Sequence, residues 1–134
     1  MSQQRSEAMP LRNEQDVVLA RQAVRRLALE LKFSLVDQTK IVTAASELAR
    51  NALVHGGGGD MLWEMVADGA RQGLRLTFSD EGPGIEDMEQ AMTDGWTSKN
   101  GLGLGLSGSK RLVNEFEVDS TPGRGTTVRI TRWR

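Results

Sequence analysis

Cysteine is absent from the 134 residues, which excludes disulfide bonds, thiolate metal sites and a cysteine nucleophile. The single histidine, His55, is too few for a histidine-rich metal centre. No apolar run approaches the roughly 18 residues that a transmembrane helix needs. The N-terminal stretch "MSQQRSEAMP" is polar and lacks the apolar core of a signal peptide. We therefore expect a cytoplasmic protein with no membrane partner.

An excess of either charge is also missing. The chain has 17 lysines and arginines against 18 aspartates and glutamates, which gives a formal net charge of -1. Since proteins that bind nucleic acid or anionic lipid usually concentrate positive charge, we expect neither of these partners. A chain of 134 residues suits one core, so residues 1–134 are predicted to form a single domain.

Apolar residues spaced by three and four predict two amphipathic helices in the first half of the chain. The first is predicted from Glu14 to Phe33, and the second, capped by Ser34, continues to the glycines at 56–59. Before them, residues 5–12 are compatible with a strand, which its proline restricts to the edge of a sheet. The apolar positions that define the helices are Val17, Ala20, Val24, Leu27 and Leu31, and then Ile41, Ala44 or Ala45, Leu48 and Ala52.

Alternating apolar residues predict four strands in the second half of the chain. Residues 60–68 and 73–80 are predicted to pair in antiparallel fashion around the turn "DGARQG". Residues 116–120 and 126–133 are predicted as two further strands around the turn "TPGRG".

Between these two groups of strands, short helices are predicted over residues 86–92 and from Leu106 to Phe116. The order of elements predicts the α+β fold class. We expect a two-layer sandwich with the helices on one face of a mixed, mostly antiparallel sheet.

On the second predicted helix, Glu47 and Asn51 lie four residues apart and therefore share one face. An amide oxygen together with nucleotide phosphates would suit Mg2+, which prefers oxygen ligands and keeps several waters. Glu47 would then be free to act as a general base. The alternative is an ordinary solvated helix face that bears Glu, Arg and Asn.

A carboxylate followed by a glycine-rich turn ends the second predicted strand, in "SDEGPGIED". Asp80 could accept a hydrogen bond from an exocyclic amine such as that of adenine. The missing side chains of Gly82 and Gly84 would let a flat ring approach the backbone of this turn, which Ile85 completes. The alternative is a tight turn with an acidic first residue, which is common.

The stretch "SKNGLGLGLSGSKRLVNEF", residues 98–116, places several glycines directly before a predicted helix. Backbone N–H groups at a helix N-terminus form an anion site, and Lys99 could add a positive charge towards a phosphate. A flexible linker does not need leucine at every second position, so the pattern predicts a lid that folds over a ligand. Neither the P-loop nor the dinucleotide-binding motif is present. The residues of the predicted lid are Gly101, Leu102, Gly103, Leu104, Gly105 and Leu106.

The order of the three patterns, E-x-x-x-N, D-x-G-x-G and G-x-G-x-G, resembles the N, G1 and G2 boxes of the GHKL superfamily of ATPases and kinases. The resemblance covers nearly the whole chain and implies the ATP-binding (Bergerat) α/β sandwich of that superfamily, with ATP and Mg2+ as cofactors. It implies that Asn51 ligates Mg2+, that Glu47 is the catalytic base and that Asp80 accepts the adenine amine. The further residues that it implies for nucleotide binding are Gly82, Gly84 and Ile85 in the adenine pocket, Lys99 and the residues of the lid, and Thr126 of "GRGTTV".

Within the superfamily, the compact length and the stretches "VDQTKIVTAASELARNALVHGGGG" and "GLGLGLSGSKRLVNEFEVDSTPGRGT" resemble the RsbT-type switch kinases of the bacterial stressosome. This resemblance implies transfer of the ATP γ-phosphate to a serine or threonine of a STAS-domain antagonist or scaffold protein. It further implies that the released kinase binds and activates a PPM-type phosphatase. A sensor histidine kinase is disfavoured because the chain shows no phosphoacceptor histidine and no dimerisation domain.

Two alternatives share the same motifs. One is an anti-sigma factor kinase, which would hold a sigma factor as well as phosphorylate a STAS antagonist. The other is an ATP-dependent binding module with little catalysis. Glu47 argues against the binding module, because a protein that only binds nucleotide has no evident need for a base.

Overall fold

The computed structural model describes residues 5–84, residue 92 and residues 106–134. Five strands form one sheet in the order β1-β2-β3-β5-β4, and each of the four neighbouring pairs is antiparallel. Within the described residues, three helices accompany the sheet, and the buried helix and strand residues form one hydrophobic core, as the predicted α+β class requires. The predicted helix over 86–92 lies outside the described residues, apart from residue 92. The elements are β1 (Ser6–Leu11), α1 (Glu14–Glu30), α2 (Leu35–Val54), β2 (Gly59–Asp68), β3 (Arg71–Asp80), α3 (Leu106–Arg111), β4 (Glu115–Thr121) and β5 (Gly125–Trp133).

The sheet supplies its half of the core through residues that face each other across the strands. Because side chains alternate between the two faces of a strand, all side chains of one cross-strand row face the same layer. Two neighbouring rows carry the apolar residues that pack under the helices. The apolar residues of these rows are Met9, Met61, Phe78, Val128 and Val118, and then Trp63, Leu76, Ile130 and Phe116; the exposed Glu7 of β1 ends the second row.

The first strand occupies the edge that the sequence predicts for it. Among the described strands, β1 pairs only with β2, and Pro10 lies opposite Asp60 in this pairing. A proline has no backbone N–H to donate, and an edge strand has one side where none is needed. Pro10 is therefore compatible with this strand at no cost to the sheet.

The helical layer follows the predicted periodicity. All apolar positions that the sequence predicts for α1 and α2 are buried, and both Ala44 and Ala45 contribute. Ser34 caps α2 as predicted, because its side chain accepts a hydrogen bond from the Asp37 backbone N–H at 3.1 Å. Asn13 caps α1 in the same way through the Asp16 N–H at 2.9 Å.

The predicted end of α1 at Phe33 is wrong, because the helix stops at Glu30. Lys32 adopts a left-handed φ of 61°. The N–H of Phe33 then bonds the Ala28 carbonyl at 3.0 Å and that of Lys32 bonds the Leu29 carbonyl at 3.0 Å, which is the Schellman arrangement. A lysine rather than a glycine occupies the left-handed position, so no residue type signals the end of this helix.

Two other predicted bounds are also wrong. β3 begins at Arg71 and not at residue 73, because Asp68 and Arg71 pair directly and leave only Gly69 and Ala70 in the turn. Gly69 has the left-handed φ of 61° that suits the first position of a two-residue hairpin loop. α3 ends at Arg111 and not at Phe116, since the strand that follows it begins at residue 115 and pairs with β5. In the described part of the chain, no helix is both long and apolar enough to cross a bilayer.

Candidate functional site

One cross-strand row of the sheet differs from its neighbours in being largely polar. At the end of the sheet nearest the glycine turns, Gly59, Asp80 and Thr126 stand opposite one another on β2, β3 and β5. Ser120 of β4 continues the row beyond Thr126, and Leu11 of β1 completes it beyond Gly59. By strand alternation, this row faces the same layer as the apolar row of Phe78 and Val128. The helix-facing side of the sheet therefore ends in a polar edge.

Asp80 is the acidic residue of this edge. Its carboxylate accepts a hydrogen bond from the Gly82 backbone N–H at 2.9 Å. Burial raises the pKa of Asp80 above its ordinary value, while the backbone amides of Gly82 and Thr126 act in the opposite direction. A carboxylate has about four acceptor positions, so further donors can still bind to it. A half-buried carboxylate of this kind is suited to an amino group on a ligand.

Thr126 and Ser120 form a hydroxyl pair beside Asp80. Their side-chain oxygens lie 2.8 Å apart, and the Ser120 hydroxyl also lies 3.2 Å from the Gly125 carbonyl oxygen. Thr126 is half-buried. The structure thus brings Thr126 to the same edge as Asp80, although the two residues are far apart in sequence.

The second helix carries the predicted pair Glu47 and Asn51. Glu47 is exposed and Asn51 is half-buried one turn further on, where the helix approaches the polar edge. The Asn51 carbonyl accepts hydrogen bonds from the backbone N–H of His55 at 2.9 Å and of Gly56 at 3.2 Å. Among the described residues, no hydrogen bond or ion pair engages the Glu47 side chain.

The glycines predicted to admit a ligand are also required by the packing of the chain itself. A Cβ atom on Gly82 would lie 2.6 Å from the Gly56 Cα and 3.1 Å from an Asp80 carboxylate oxygen. Gly84 has a left-handed φ of 77°, and a Cβ atom there would lie 2.5 Å from the Thr121 carbonyl oxygen. Both glycines therefore hold β3 close to neighbouring backbone at this edge.

The rest of the predicted lid and pocket is largely beyond what the structure describes. Of the predicted lid only Leu106 is described; it begins α3, is buried, and its side chain belongs to the hydrophobic core. The predicted residues outside the described part are Ile85, Lys99, Gly101, Leu102, Gly103, Leu104 and Gly105.

Two grooves lie at opposite ends of the sheet. The smaller, of about 580 Å3, is lined by Arg12, the glycines at 56–59 and Asp80, and it adjoins the polar edge. The larger, of about 1010 Å3, lies between Arg5, Glu30 and Trp133 and contains no residue of that edge. The candidate site is assigned to the polar edge because its chemistry, and not the groove volume, matches the predicted ligand.

The oxygen atoms that the described residues offer suit a metal ion only together with a bound nucleotide. In residues 5–84, 92 and 106–134, no three His, Asp or Glu side chains are grouped closely enough to hold a metal ion. Asn51 offers one amide oxygen, and Mg2+ is commonly bound by one or two protein oxygens together with substrate phosphates and water. The residues present therefore fit a nucleotide-bound Mg2+ rather than a metal site made by the protein alone.

Three residues of this edge were missed by sequence reasoning. Gly56 was interpreted only as the end of a helix, yet it contacts Gly82 and the Asp80 side chain. Gly125 has a φ of 103° and is buried, so the chain can turn from β4 into β5 against the Asp80 backbone. Ser120 gave no signal in the sequence, because only the register of β4 on β5 places it beside Thr126.

Residues 36–133 match the family model described as histidine kinase-, DNA gyrase B- and HSP90-like ATPase. The chain is 47% identical over 120 residues to the serine/threonine-protein kinase RsbT of Bacillus subtilis, covering 90% of each chain. It is 33% identical over 128 residues to the anti-sigma F factor of Thermoanaerobacter sp. strain X514, covering 92% of this chain and 89% of that protein.

The fold is also similar to a solved structure, that of the RsbU and RsbW domains of Rv1364c from Mycobacterium tuberculosis. The TM-score is 0.67 at 20% identity, and the match covers 99% of this chain and 33% of the longer one. The chain thus spans about a third of that protein. From the matched residues and the kinase relative, we conclude that the chain belongs to the histidine kinase-, gyrase B- and HSP90-like (GHKL) ATPase family, as an RsbT-type serine/threonine protein kinase.

Proposed function

We propose that this kinase transfers the γ-phosphate of ATP to a serine or threonine hydroxyl of a STAS-domain antagonist or scaffold protein. The observation that carries the proposal is the meeting of Asp80 with the end of α2, the helix that bears Glu47 and Asn51. The carboxylate proposed to bind the purine therefore lies against the end of the helix that bears the candidate base. Positioning and charge neutralisation are what phosphoryl transfer chiefly needs from a protein.

In this proposal Asp80 selects the nucleobase of the nucleotide, adenine. Its carboxylate, held by the Gly82 N–H, accepts a hydrogen bond from the adenine amino group. Thr126 lies directly across the sheet from Asp80 and supplies a hydroxyl to the same pocket. Desolvation of Asp80, which raises its pKa, is offset when a ligand donor replaces lost water.

Asn51 contributes one oxygen ligand to Mg2+ on the nucleotide. The ion, when bound, neutralises charge on the phosphates. Asn51 is half-buried in the last turn of α2, beside the polar edge that contains Asp80. Asn51 therefore orients the phosphate end of the nucleotide while Asp80 orients the base.

Glu47 acts on the acceptor protein. Its exposed carboxylate takes the proton of the serine or threonine hydroxyl as that oxygen bonds to the γ-phosphorus. The bond between the γ-phosphorus and the β–γ bridging oxygen breaks, and ADP leaves with that oxygen. Exposure suits this role, because the hydroxyl arrives on another protein and needs an accessible base.

The remaining nucleotide contacts follow from the sequence resemblance. The glycine-rich lid covers the phosphates with backbone N–H groups, and Lys99 adds a positive charge. Ile85 borders the adenine pocket. These assignments complete the proposed site and concern residues outside the described part.

The proposed partners are those of a cytoplasmic partner-switching pathway. Phosphorylation of the STAS protein releases the kinase, which then binds and activates a PPM-type phosphatase. The second candidate is an anti-sigma factor kinase, which the 33% identity to an anti-sigma F factor favours. The higher identity, 47%, to the kinase RsbT makes the switch-kinase function the better supported of the two.

The proposal is tested by incubating the purified protein with γ-labelled ATP, Mg2+ and the STAS proteins encoded beside its gene. We expect label on a STAS serine or threonine, and its loss in Glu47→Gln with ATP binding retained. Glu64→Gln makes the same chemical change on strand β2, away from α2, and is expected to label normally. Undiminished transfer by Glu47→Gln would contradict the base assignment.

The choice between the two partner classes needs a separate measurement. The kinase is mixed with a PPM-type phosphatase and with a sigma factor, and the complexes are separated by size-exclusion chromatography. Co-elution with the phosphatase supports the switch kinase. Co-elution with the sigma factor alone would replace it with the anti-sigma function.

A further inference from the structure

The backbone conformation of Gly56 does not explain why this residue is a glycine. It follows the C-cap residue of α2, His55, and its φ lies outside the left-handed region that favours glycine. An alanine could adopt this backbone without strain. The neighbours of Gly56 must therefore explain why a side chain is absent.

The Asp80 side chain fills the space where a Gly56 side chain would lie. A Cβ atom on Gly56 would lie 2.5 Å from the Asp80 Cβ and closer still to the Asp80 Cγ. It would also lie 2.7 Å from the Ala52 carbonyl oxygen. Non-bonded carbon atoms do not approach this closely, so a side chain at 56 must displace Asp80.

Asp80 is thus confined from two sides. Gly56 packs against the Cβ and Cγ of Asp80, and the Gly82 N–H holds one carboxylate oxygen at 2.9 Å. Gly82 in turn contacts Gly56, since a Cβ atom on Gly82 would lie 2.6 Å from the Gly56 Cα. The short side chain of Asp80 has few rotamers with which to escape such a displacement.

Gly56 also connects the Asp80 carboxylate to α2, the helix whose Asn51 is proposed to orient the phosphates of the nucleotide. Its backbone N–H donates to the Asn51 carbonyl at 3.2 Å, within the last turn of α2. Gly56 therefore links the Asp80 side chain directly to the end of α2.

We propose that Gly56 is a positioning residue for base selection, because its missing side chain fixes the Asp80 carboxylate where it accepts the 6-amino group of adenine. This inference rests on the proposed function and adds to it the determinant of base specificity. Inosine triphosphate carries a carbonyl in place of the amino group, so it cannot donate to Asp80 from position 6, and its 6-oxygen would face the carboxylate. Selectivity for ATP over inosine triphosphate therefore reports the position of the carboxylate.

The test measures the Kd of Mg-ATP and of Mg-inosine triphosphate for the wild-type chain and Gly56→Ala. The wild type is expected to prefer ATP by about tenfold or more, the value of one hydrogen bond to a charged group. Gly56→Ala is expected to lose most of this preference, mainly through weaker ATP binding. Equal weakening of both nucleotides would show a merely structural role and overturn the inference.

Gly73→Ala is the matched control. Gly73 lies on the same strand as Asp80, about 23 Å away at the strand spacing of roughly 3.3 Å per residue. Its φ is also outside the left-handed region, and a Cβ atom there would lie 2.7 Å from a Trp133 ring carbon. We expect this variant to lower the Tm without changing the preference for ATP. A comparable loss of preference in Gly73→Ala would contradict a local role for Gly56.

Two outcomes separate this inference from the proposed function. A wild-type chain that binds ATP and inosine triphosphate equally would contradict recognition of adenine by Asp80 and with it this inference, while phosphoryl transfer is decided by the labelling experiment. A selective wild type with an equally selective Gly56→Ala would overturn only the role of Gly56. If Gly56→Ala does not fold, the double variant Gly56→Ala/Asp80→Gly decides. Restored folding supports the contact with Asp80. Continued failure to fold assigns the exclusion of a side chain to the Ala52 carbonyl, 2.7 Å from the same Cβ position, and overturns the inference.

Discussion

Asp80 and Thr126 stand directly opposite each other at the last paired position of β3 and β5, 46 residues apart in sequence. Their row begins where the two apolar rows of the sheet end, so the polar edge lies against the core. A carboxylate in such a place is partly desolvated, which costs free energy unless donors compensate. The polar edge therefore lowers the stability of the fold when Asp80 lacks donors, and it offers a carboxylate to a ligand that can donate hydrogen bonds.

Asp80→Asn is expected to weaken ATP binding by about tenfold or more, because a neutral amide accepts hydrogen bonds less strongly than a carboxylate. The measurement is isothermal titration calorimetry of Mg-ATP. Asp68→Asn, at the other end of the same sheet, is the control and should bind ATP normally. ATP affinity unchanged in Asp80→Asn would exclude the carboxylate from base recognition.

The same variant is expected to be at least as stable as the wild type at neutral pH without nucleotide. Burial raises the folded-state pKa of Asp80 above its ordinary value of 3.8, so its ionisation opposes folding at neutral pH. As the pH falls through the folded-state pKa, the wild type takes up a proton and this penalty disappears. The Tm difference between the two proteins, followed by scanning fluorimetry, should therefore shrink towards pH about 4. A difference that grows on acidification would contradict this sign.

Thr126→Val is expected to raise the Kd of ATP by about threefold to tenfold, the effect of one neutral hydrogen bond. Ser120→Ala removes the other member of the same hydroxyl pair, whose oxygens lie 2.8 Å apart. Both variants lose that mutual bond, so only a direct contact of Thr126 with nucleotide separates them. Fluorescence titration with a labelled ATP analogue supplies the comparison. Equal affinities would assign Thr126 a structural role.

Gly84→Ala is expected to lower the free energy of unfolding by more than about 1 kcal/mol. The left-handed φ of 77° alone disfavours a side chain by about 1–2 kcal/mol. A Cβ atom 2.5 Å from the Thr121 carbonyl oxygen adds strain in the turn between β4 and β5. Urea unfolding measures the change. Gly108→Ala in α3 has open space and an ordinary φ, so it should be neutral or stabilising by up to about 1 kcal/mol.

Arg132→Met is expected to destabilise the fold by about 2 kcal/mol. Its guanidinium pairs with Asp37 in the first turn of α2 and donates to the Leu112 carbonyl at 3.0 Å, and both charged side chains are largely buried. The control is Arg129→Met, whose pair with Glu117 is about half exposed and should contribute less than about 1 kcal/mol. Urea unfolding of the two variants makes the comparison. Equal losses would contradict the importance of burial here.

The pair with Arg132 also predicts a dependence on pH. The Arg132 hydrogen bond holds the pKa of Asp37 below its ordinary value of 3.8, so the ionised carboxylate stabilises the fold at neutral pH. This contribution is fully present above the unfolded-state pKa and is lost as the pH falls through the folded-state value. Asp37→Asn should therefore be less stable than the wild type at neutral pH, and the difference should close only below pH about 4. A gap that is already closed at neutral pH would contradict the pairing.

Much of the fold follows from local patterns in the sequence and could therefore be predicted. The helical positions of α1 and α2 and the alternation in β2 and β3 appear in the sequence because each element must bury one side. Two of the wrong bounds, the ends of α1 and α3, have one common reason: the deciding contact is not encoded by a characteristic residue. Lys32 takes a left-handed backbone without being glycine, and the end of α3 depends on where β4 finds its partner on β5. At the start of β3, Gly69 marks the turn but not its length.

The sequence by itself determined the amphipathic elements and the α+β class, and residue type and spacing along the chain singled out Glu47, Asn51 and Asp80 as candidate site residues. Thr126 was singled out only by the resemblance to the family. The tertiary structure alone decided which of them share an edge. Strand register places Thr126 and Ser120 beside Asp80, and steric exclusion explains why Gly56 must lack a side chain. Register and close packing arise between segments distant in sequence, so no local pattern could carry them.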